Sequence, residues 1–126
     1  MRLLRALIRN RAATAPSHPD PGLRTRRYPV PLPVVRQTAR QLADGGLPRW
    51  VLTDESESDG WIRAEATTRV LRFVDDVEIR IRADGQGQTR VDVRSESRVG
   101  VTDLGANARR IRRFLRHLDR AMAGHD

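Results

Sequence analysis

Strict alternation of apolar and charged residues in the middle of the chain constrains the fold more than any other feature. In DVEIRIRA, Val77, Ile79 and Ile81 lie on one side and charged residues on the other. RVDVRSESRV repeats the pattern, and the intervening DGQGQ is typical of a hairpin turn. Strands that alternate in this way bury one face and leave the other in water. The sequence therefore predicts an antiparallel sheet with a charged outer face and an apolar inner face.

The same two strands predict a register. Pairing Arg80 with Asp92 places Glu78 opposite Arg94, so both cross-strand pairs are attractive. The same register places Asp76 opposite Glu96 near the strand ends. This like-charge pair is unfavourable.

Two earlier strands are predicted at RWVLTDE and WIRAEATTRV, joined by the turn ESDG. The predicted inner residues of the second strand are Ile62, Ala64, Ala66, Thr68 and Val70. A helix precedes these strands at PLPVVRQTARQLADGG. Pro33 suits its first turn, and Gly45 and Gly46 suit its end.

The last helix has the clearest helical periodicity. Asp103 is suited to cap its N-terminus, and Gly124 is suited to end it. Its predicted apolar stripe consists of Leu104, Ala108, Ile111, Phe114, Leu115, Leu118, Ala121 and Met122. Its other face carries Arg109, Arg110, Arg112, Arg113, Arg116 and Arg120. A solvated basic face is the first interpretation of these arginines, and a phosphate-binding face is the alternative.

The order αββββα predicts an α+β two-layer sandwich: a four-stranded antiparallel sheet with N- and C-terminal helices on one face. A chain of 126 residues suits one such domain, which we place at residues 31–126. Residues 1–30 are predicted to be a basic amphipathic N-terminus followed by a proline-rich extended linker.

MRLLRALIRN places arginines on one side of a helix and leucines on the other. Such a helix suits peripheral contact of residues 1–12 with an anionic membrane surface. A frayed terminus, or a helix docked on its own domain, is the alternative. Arg5 and Arg9 interrupt the apolar core that a secretory signal needs. We therefore expect a cytoplasmic protein, peripheral to a membrane if this helix binds one, with no evident export signal.

The net charge of +8 is carried entirely by arginine, since the chain has no lysine. A phosphate-binding protein has no physical reason to avoid lysine, so this inventory indicates codon bias and disfavours nucleic acid as a partner. Aromatic residues make up only 4% of the chain, which disfavours base stacking. The absence of cysteine excludes disulfides, zinc–thiolate sites and a cysteine nucleophile. We predict no cofactor and no metal.

Polar residues concentrate where the start of the third strand, the end of the fourth and the start of the last helix meet. The candidate ligand-binding residues there are Phe73, Asp75, Asp76, Arg94, Ser97, Arg98, Asp103 and Asn107. An arginine between carboxylates can form bidentate hydrogen bonds. The cluster is therefore either a binding site or a structural corner.

These residues resemble DUF1499, a bacterial and plastid family of unknown function. Its members share a Phe-Val-Asp-Asp-Val stretch and an Arg-Ser-x-Ser-Arg-x-Gly-x-x-Asp-x-Gly-x-Asn segment. The matching positions are Phe73, Asp75, Asp76, Arg94, Ser95, Ser97, Arg98, Gly100, Asp103, Gly105 and Asn107. The family has no established activity, so the resemblance implies a site and no reaction. Many members begin with a Cys-Pro-x-Ser-Pro-Asn-Cys-like segment behind a lipoprotein or membrane signal, where this chain has APSHPDPGLR.

Three functions remain open. The first is a non-catalytic module that binds a small molecule or a protein at this polar end; a hydrophobic pocket opening there would favour a small ligand. The second is a carboxylate-based or metal-dependent enzyme using Asp75, Asp76 and Asp103, which the neighbouring arginines and the lack of a suitable histidine disfavour. The third is arginine-driven nucleic-acid binding by the last helix.

Overall fold

The structure is a computed structural model that describes residues 11–98 and 105–125. Its elements form a single antiparallel sheet covered by helices. In chain order they are β1 (Arg11–Ala13), a 3-10 turn (Pro21–Leu23), β2 (Arg26–Tyr28), α1 (Leu32–Gln41), β3 (Trp50–Ser56), β4 (Trp61–Thr67), β5 (Val74–Ala83), β6 (Thr89–Ser97) and α2 (Ala106–Ala123).

The sheet has six strands, so the prediction of four is wrong. Strands β3 to β6 form the expected up-and-down meander, and β1 and β2 both pair antiparallel with the remaining edge of β6. The two additional strands lie in the segment that was predicted to be terminus and linker. Each spans three residues, too short to show a two-residue alternation, and the nearby prolines indicated a loop. The α+β class, the antiparallel sheet and the N- and C-terminal helices are confirmed, but two strands precede the first helix, so the predicted order αββββα is wrong in detail.

The predicted register is confirmed. Arg80 lies opposite Asp92 and Glu78 lies opposite Arg94 in the pairing of β5 with β6. Arg94 donates from Nη2 to Glu78 Oε2 at 2.9 Å. The two side chains therefore form an ion pair across the strands. The outer face of the sheet is charged, as the alternation predicted.

The core lies between the inner face of the sheet and the two helices. Val77, Ile79 and Ile81 are buried from β5 and share one core with the apolar stripe of α2; α1 packs on β5, and α2 packs on β6 and β1. Trp50 at the start of β3 stacks on Phe114 of α2, with ring centroids 5.5 Å apart and an interplanar angle of 13°. This stacked pair closes the core at the end of the sheet where α2 begins.

The second strand of the meander is shorter than predicted. β4 ends at Thr67, so Thr68 and Val70 do not continue its inner face, and Val70 is 82% exposed. The chain instead makes a closed loop, in which the Thr68 amide donates to the Phe73 carbonyl and the Phe73 amide donates to Thr68 Oγ1, both at 2.8 Å. Arg72 has φ of 60°, a left-handed conformation that a continuing strand could not contain.

Both predicted helices are present. α1 is followed by a wide turn over Leu42–Gly46, where Gly45 has φ of +89° and ends the helix. The proposed cap Asp103 and most of residues 1–12 lie outside the described residues, while residues 11 and 12 belong to β1. No helix in the described part of the chain combines the length and apolar character needed to cross a bilayer.

Asp92 holds the N-terminal segment to the sheet. Thr14 and Thr25 donate from Oγ1 to Asp92 Oδ1 at 2.8 and 2.6 Å, and Arg90 Nε donates to Oδ2 at 2.7 Å. Burial raises the pKa of Asp92, but the hydrogen bonds from Thr25, Arg90 and Thr14 outweigh it and lower the pKa below its ordinary value. The ionised form is therefore the one that the fold stabilises.

Asp92→Ala should lower the free energy of unfolding by about 1–3 kcal/mol, because it leaves two part-buried threonine hydroxyls without their acceptor. Thermal unfolding at neutral pH measures this loss. Asp59→Ala is the matched control, since Asp59 is an exposed turn residue with the same charge.

The difference between parent and Asp92→Ala should also depend on pH. A carboxyl whose pKa is lowered by folding stabilises the fold above its unfolded pKa of about 3.9, and this contribution is lost as pH falls through the folded pKa. The two proteins should therefore converge in stability under acid conditions. A difference that stays constant from neutral pH to well below this range would contradict the assignment.

Candidate functional site

The predicted polar cluster is divided between the two faces of the sheet. Asp75 and Asp76 are consecutive in β5, so their side chains point to opposite sides. Asp75 is buried beneath α2, whereas Asp76 is exposed on the outer face. The two carboxylates therefore belong to different environments and cannot act together on one ligand.

On the outer face, Arg98 joins two carboxylates. It donates to both oxygens of Asp76, at 3.0 and 2.8 Å, and to Glu65 Oε2 at 2.6 Å. These hydrogen bonds raise the pKa of Arg98, and the contribution of Asp76 is the larger one. Asp76 also lies opposite Glu96 across the strands, so Arg98 offsets the repulsion that the register creates. All three partners are solvent-exposed to a large extent, which makes this an ordinary surface network.

Arg94 belongs to a second outer cluster around Glu78. The Glu78 side chain is only 8% exposed, because arginines surround it. Besides Arg94, Arg63 Nε lies 3.6 Å and Arg80 Nη2 lies 3.5 Å from Glu78 Oε1. The Arg63 guanidinium also lies over the Trp61 ring, 4.1 Å from its centroid. One carboxylate serves three arginines here, so the cluster has a net positive charge in the middle of the sheet.

On the inner face, a buried polar network ties β6 and β5 to the start of α2. Ser95 Oγ donates to Asn107 Oδ1 at 2.6 Å, and Asn107 Nδ2 donates to Ser97 Oγ at 2.9 Å. Arg110 Nη1 donates to Asn107 Oδ1 at 2.9 Å and to Ser95 Oγ at 3.2 Å. The same nitrogen lies 2.7 Å from Asp75 Oδ2, with side-chain exposures of 11% for Arg110 and 2% for Asp75.

The contact between Arg110 and Asp75 is held by charge more than by a directed hydrogen bond. Asp75 Oδ2 accepts no well-oriented hydrogen bond from the described residues, although the guanidinium nitrogen is close. A carboxylate this deeply buried is tolerated only beside a compensating cation.

Sequence reasoning missed Arg110, which it assigned to the solvated basic face of the last helix. Two signals could have found it. Asp75 has the same two-residue parity as Val77 and Ile79, so it had to point inward and needed a cation. Arg110 follows Asn107 by three positions, which places both on neighbouring parts of one helix face.

A pocket of about 640 Å³ opens at this end of the sheet, between the β4–β5 loop and the first turns of α2. Phe73 is the predicted site residue that lines it. Trp50, stacked on Phe114 of the core, lies at its wall. The complete lining is Pro48, Arg49, Trp50, Ala66, Thr67, Thr68, Arg69, Val70, Leu71, Phe73, Ala106, Arg109, Arg110 and Arg113.

The charge of this pocket is of one sign. Its charged residues are Arg49, Arg69, Arg109, Arg110 and Arg113, and no carboxylate is among the described residues that line it. Arg110 is compensated by Asp75 behind the wall, and Arg49 Nε donates to the Thr67 carbonyl at 3.2 Å. A concave, largely apolar surface with converging arginines concentrates positive potential, which attracts anions.

Of the other predicted residues that the structure describes, none lines this pocket. Asp76, Arg94 and Arg98 lie on the outer face, and Ser97 and Asn107 belong to the buried network. Asp103 lies outside the described residues. Within residues 11–98 and 105–125, no group of three or more His, Asp or Glu side chains is placed to hold a metal ion.

Comparison with known proteins establishes the family. The profile described as "Protein of unknown function (DUF1499)" matches residues 8–118, most of the chain. The chain belongs to the DUF1499 family. No curated protein matches the sequence.

Among solved structures, the crystal structure of CalU16 from Micromonospora echinospora is similar, with 12% sequence identity and a TM-score of 0.44. The similarity covers 90% of this chain and 93% of CalU16.

Arg110→Met should destabilise this DUF1499 protein by about 3–5 kcal/mol, because the Asp75 carboxylate would stay buried without its cation. Arg98→Met removes an arginine from the exposed network and should leave the thermal midpoint nearly unchanged. Equal losses of thermal stability for the two variants would contradict this account.

The double variant Asp75→Val with Arg110→Met is the control for pairing. It removes both charges, so it should recover much of the stability that Arg110→Met loses. A double variant as unstable as the sum of its single variants would show that the two groups act independently.

Proposed function

We propose that this DUF1499 protein is a non-catalytic binding module, whose ligand is a small anion with an apolar body. The observation that carries the proposal is the pocket beside the β4–β5 loop, which combines apolar walls with arginines and has no carboxylate among its described lining residues. Its volume of about 640 Å³ falls within the roughly 300–1,000 Å³ typical of small-molecule sites.

The two kinds of lining residue suit the two parts of such a ligand. Trp50, Leu71 and Phe73 offer apolar contact to a hydrocarbon or aromatic body. Arg69 and Arg113 offer guanidinium groups to a carboxylate, sulfonate or phosphate. A ligand with both parts would gain from burial and from charge, whereas a neutral apolar molecule would gain only from burial.

The other candidate functions have less support. A carboxylate-based enzyme would need two acids facing one substrate, but Asp75 and Asp76 face opposite ways and each has an arginine partner. Nucleic-acid binding by α2 would need a continuous basic face, yet Arg112 of that face binds Asp20 at 2.8 Å and Arg110 pairs with the buried Asp75. A protein partner at the same end of the sheet is compatible with the pocket and is the alternative within the binding class.

Binding of anilinonaphthalene sulfonate to the folded protein tests the proposal. This probe carries an anionic group on an aromatic body, and its fluorescence rises on transfer from water to an apolar site. We expect saturable binding that Arg113→Ser weakens roughly ten-fold, the usual cost of losing a charge-assisted contact. Fluorescence titration gives both dissociation constants.

Two controls make this result specific. Arg120→Ser removes the same charge from an exposed position two turns further along α2, outside the pocket, and should leave the dissociation constant unchanged. Phenylnaphthylamine lacks the sulfonate, so its affinity should be insensitive to Arg113→Ser. Absence of saturable binding, or equal weakening by both arginine variants, would contradict a ligand site in this pocket.

A further inference from the structure

The β4–β5 loop presents two large apolar side chains to solvent. Val70 is 82% exposed and Leu71 is 65% exposed. Among the described residues, the other large hydrophobic side chain with high exposure is Val51 at 58%, which stands alone on the outer face of β3. The loop is closed at its base by the hydrogen bonds between Thr68 and Phe73, so the apolar pair is held at its tip.

Arginines surround this apolar tip. Arg69 and Arg72 flank it in sequence, and Arg113 lines the same pocket as Val70 and Leu71. All three are exposed, and none forms an ion pair with another described residue. Most other arginines of the sheet are paired with carboxylates, as Arg98 is. This end of the molecule is therefore both apolar and positively charged.

An exposed apolar tip with cations beside it matches the interface of an anionic lipid bilayer. Apolar side chains leave water when they enter the boundary between headgroups and acyl chains, and arginines there contact phosphate groups. A lone exposed hydrophobic residue needs no explanation, but an adjacent exposed pair beside unpaired arginines does. Charge complementarity therefore selects an anionic membrane over a neutral apolar partner.

We propose that the loop of residues 68–73 inserts Val70 and Leu71 into the surface of an anionic phospholipid bilayer, with Arg69, Arg72 and Arg113 at the headgroups. This contact is distinct from the one predicted for residues 1–12. It goes beyond the proposed ligand site, because the loop can bind a membrane whether or not the pocket is occupied. If both hold, the pocket opens toward the bilayer and receives its amphipathic ligand from there.

A fluorophore on the loop tests insertion directly. The chain has no cysteine, so Val70→Cys can be labelled with an environment-sensitive nitrobenzoxadiazole group at a single place. With vesicles of equimolar phosphatidylcholine and phosphatidylglycerol, we expect a blue shift and a several-fold rise in emission. Vesicles of phosphatidylcholine alone should produce neither change. Val51→Cys, labelled in the same way, is the matched control and should stay in water.

Vesicle sedimentation of unlabelled variants measures how much the loop contributes. Val70→Ser with Leu71→Ser should lower the partition coefficient roughly ten-fold, since two apolar side chains are lost from the interface. Arg69→Ser with Arg72→Ser should lower it roughly five-fold for each charge. Val51→Ser should have no effect.

Each outcome decides the proposal. Binding to the anionic vesicles while the fluorophore at position 70 remains in water would place the contact elsewhere, for example at residues 1–12, and would overturn it. Absence of vesicle binding would also overturn it. The naphthalene sulfonate titration contains no lipid, so failure of the ligand site is measured separately from failure of the membrane contact.

Discussion

The buried contact between Asp75 and Arg110 determines how the sheet and the last helix meet. A carboxylate on the inner face of β5 needs a cation, and the first turns of α2 supply it. Asn107 and the serines of β6 complete the network, and their hydrogen bonds fix the position of α2 on the sheet. This network lies at the end of the sheet where α2 begins, and the pocket opens beside it, between the β4–β5 loop and the first turns of α2.

The same contact explains why the pocket is positive. Asp75 points inward and pairs with Arg110 behind the pocket wall. Its charge is therefore not available to the other arginines that line the opening. On the outer face, Asp76 accepts hydrogen bonds from Arg98. Many arginines of the sheet lie beside carboxylates, whereas no carboxylate is among the described residues that line the pocket. The excess of arginine in the chain therefore produces a positive potential at the pocket.

Much of the fold was predictable because it follows from local periodicity. The inward residues of β5, the pairing of Arg80 with Asp92 and the apolar stripe of α2 each follow from a period of two or of 3.6 residues. Strands β1 and β2 were not predictable in this way, because three residues show no period. They form only because the edge of β6 offers unpaired backbone groups and Asp92 holds the connecting segment.

The sequence by itself determined the chemistry of the site: which arginines, aspartates and serines are available, and that they lie near one end of the sheet. Tertiary structure alone decided which of them meet. Adjacent residues in a strand face opposite sides, so Asp75 and Asp76 were separated, and Arg110 turned from the expected solvent-facing side toward the core. The pocket combines Trp50, Phe73 and Arg113, which are distant in the chain. Local sequence patterns carry no information on such contacts, because the contacts depend on how whole elements pack.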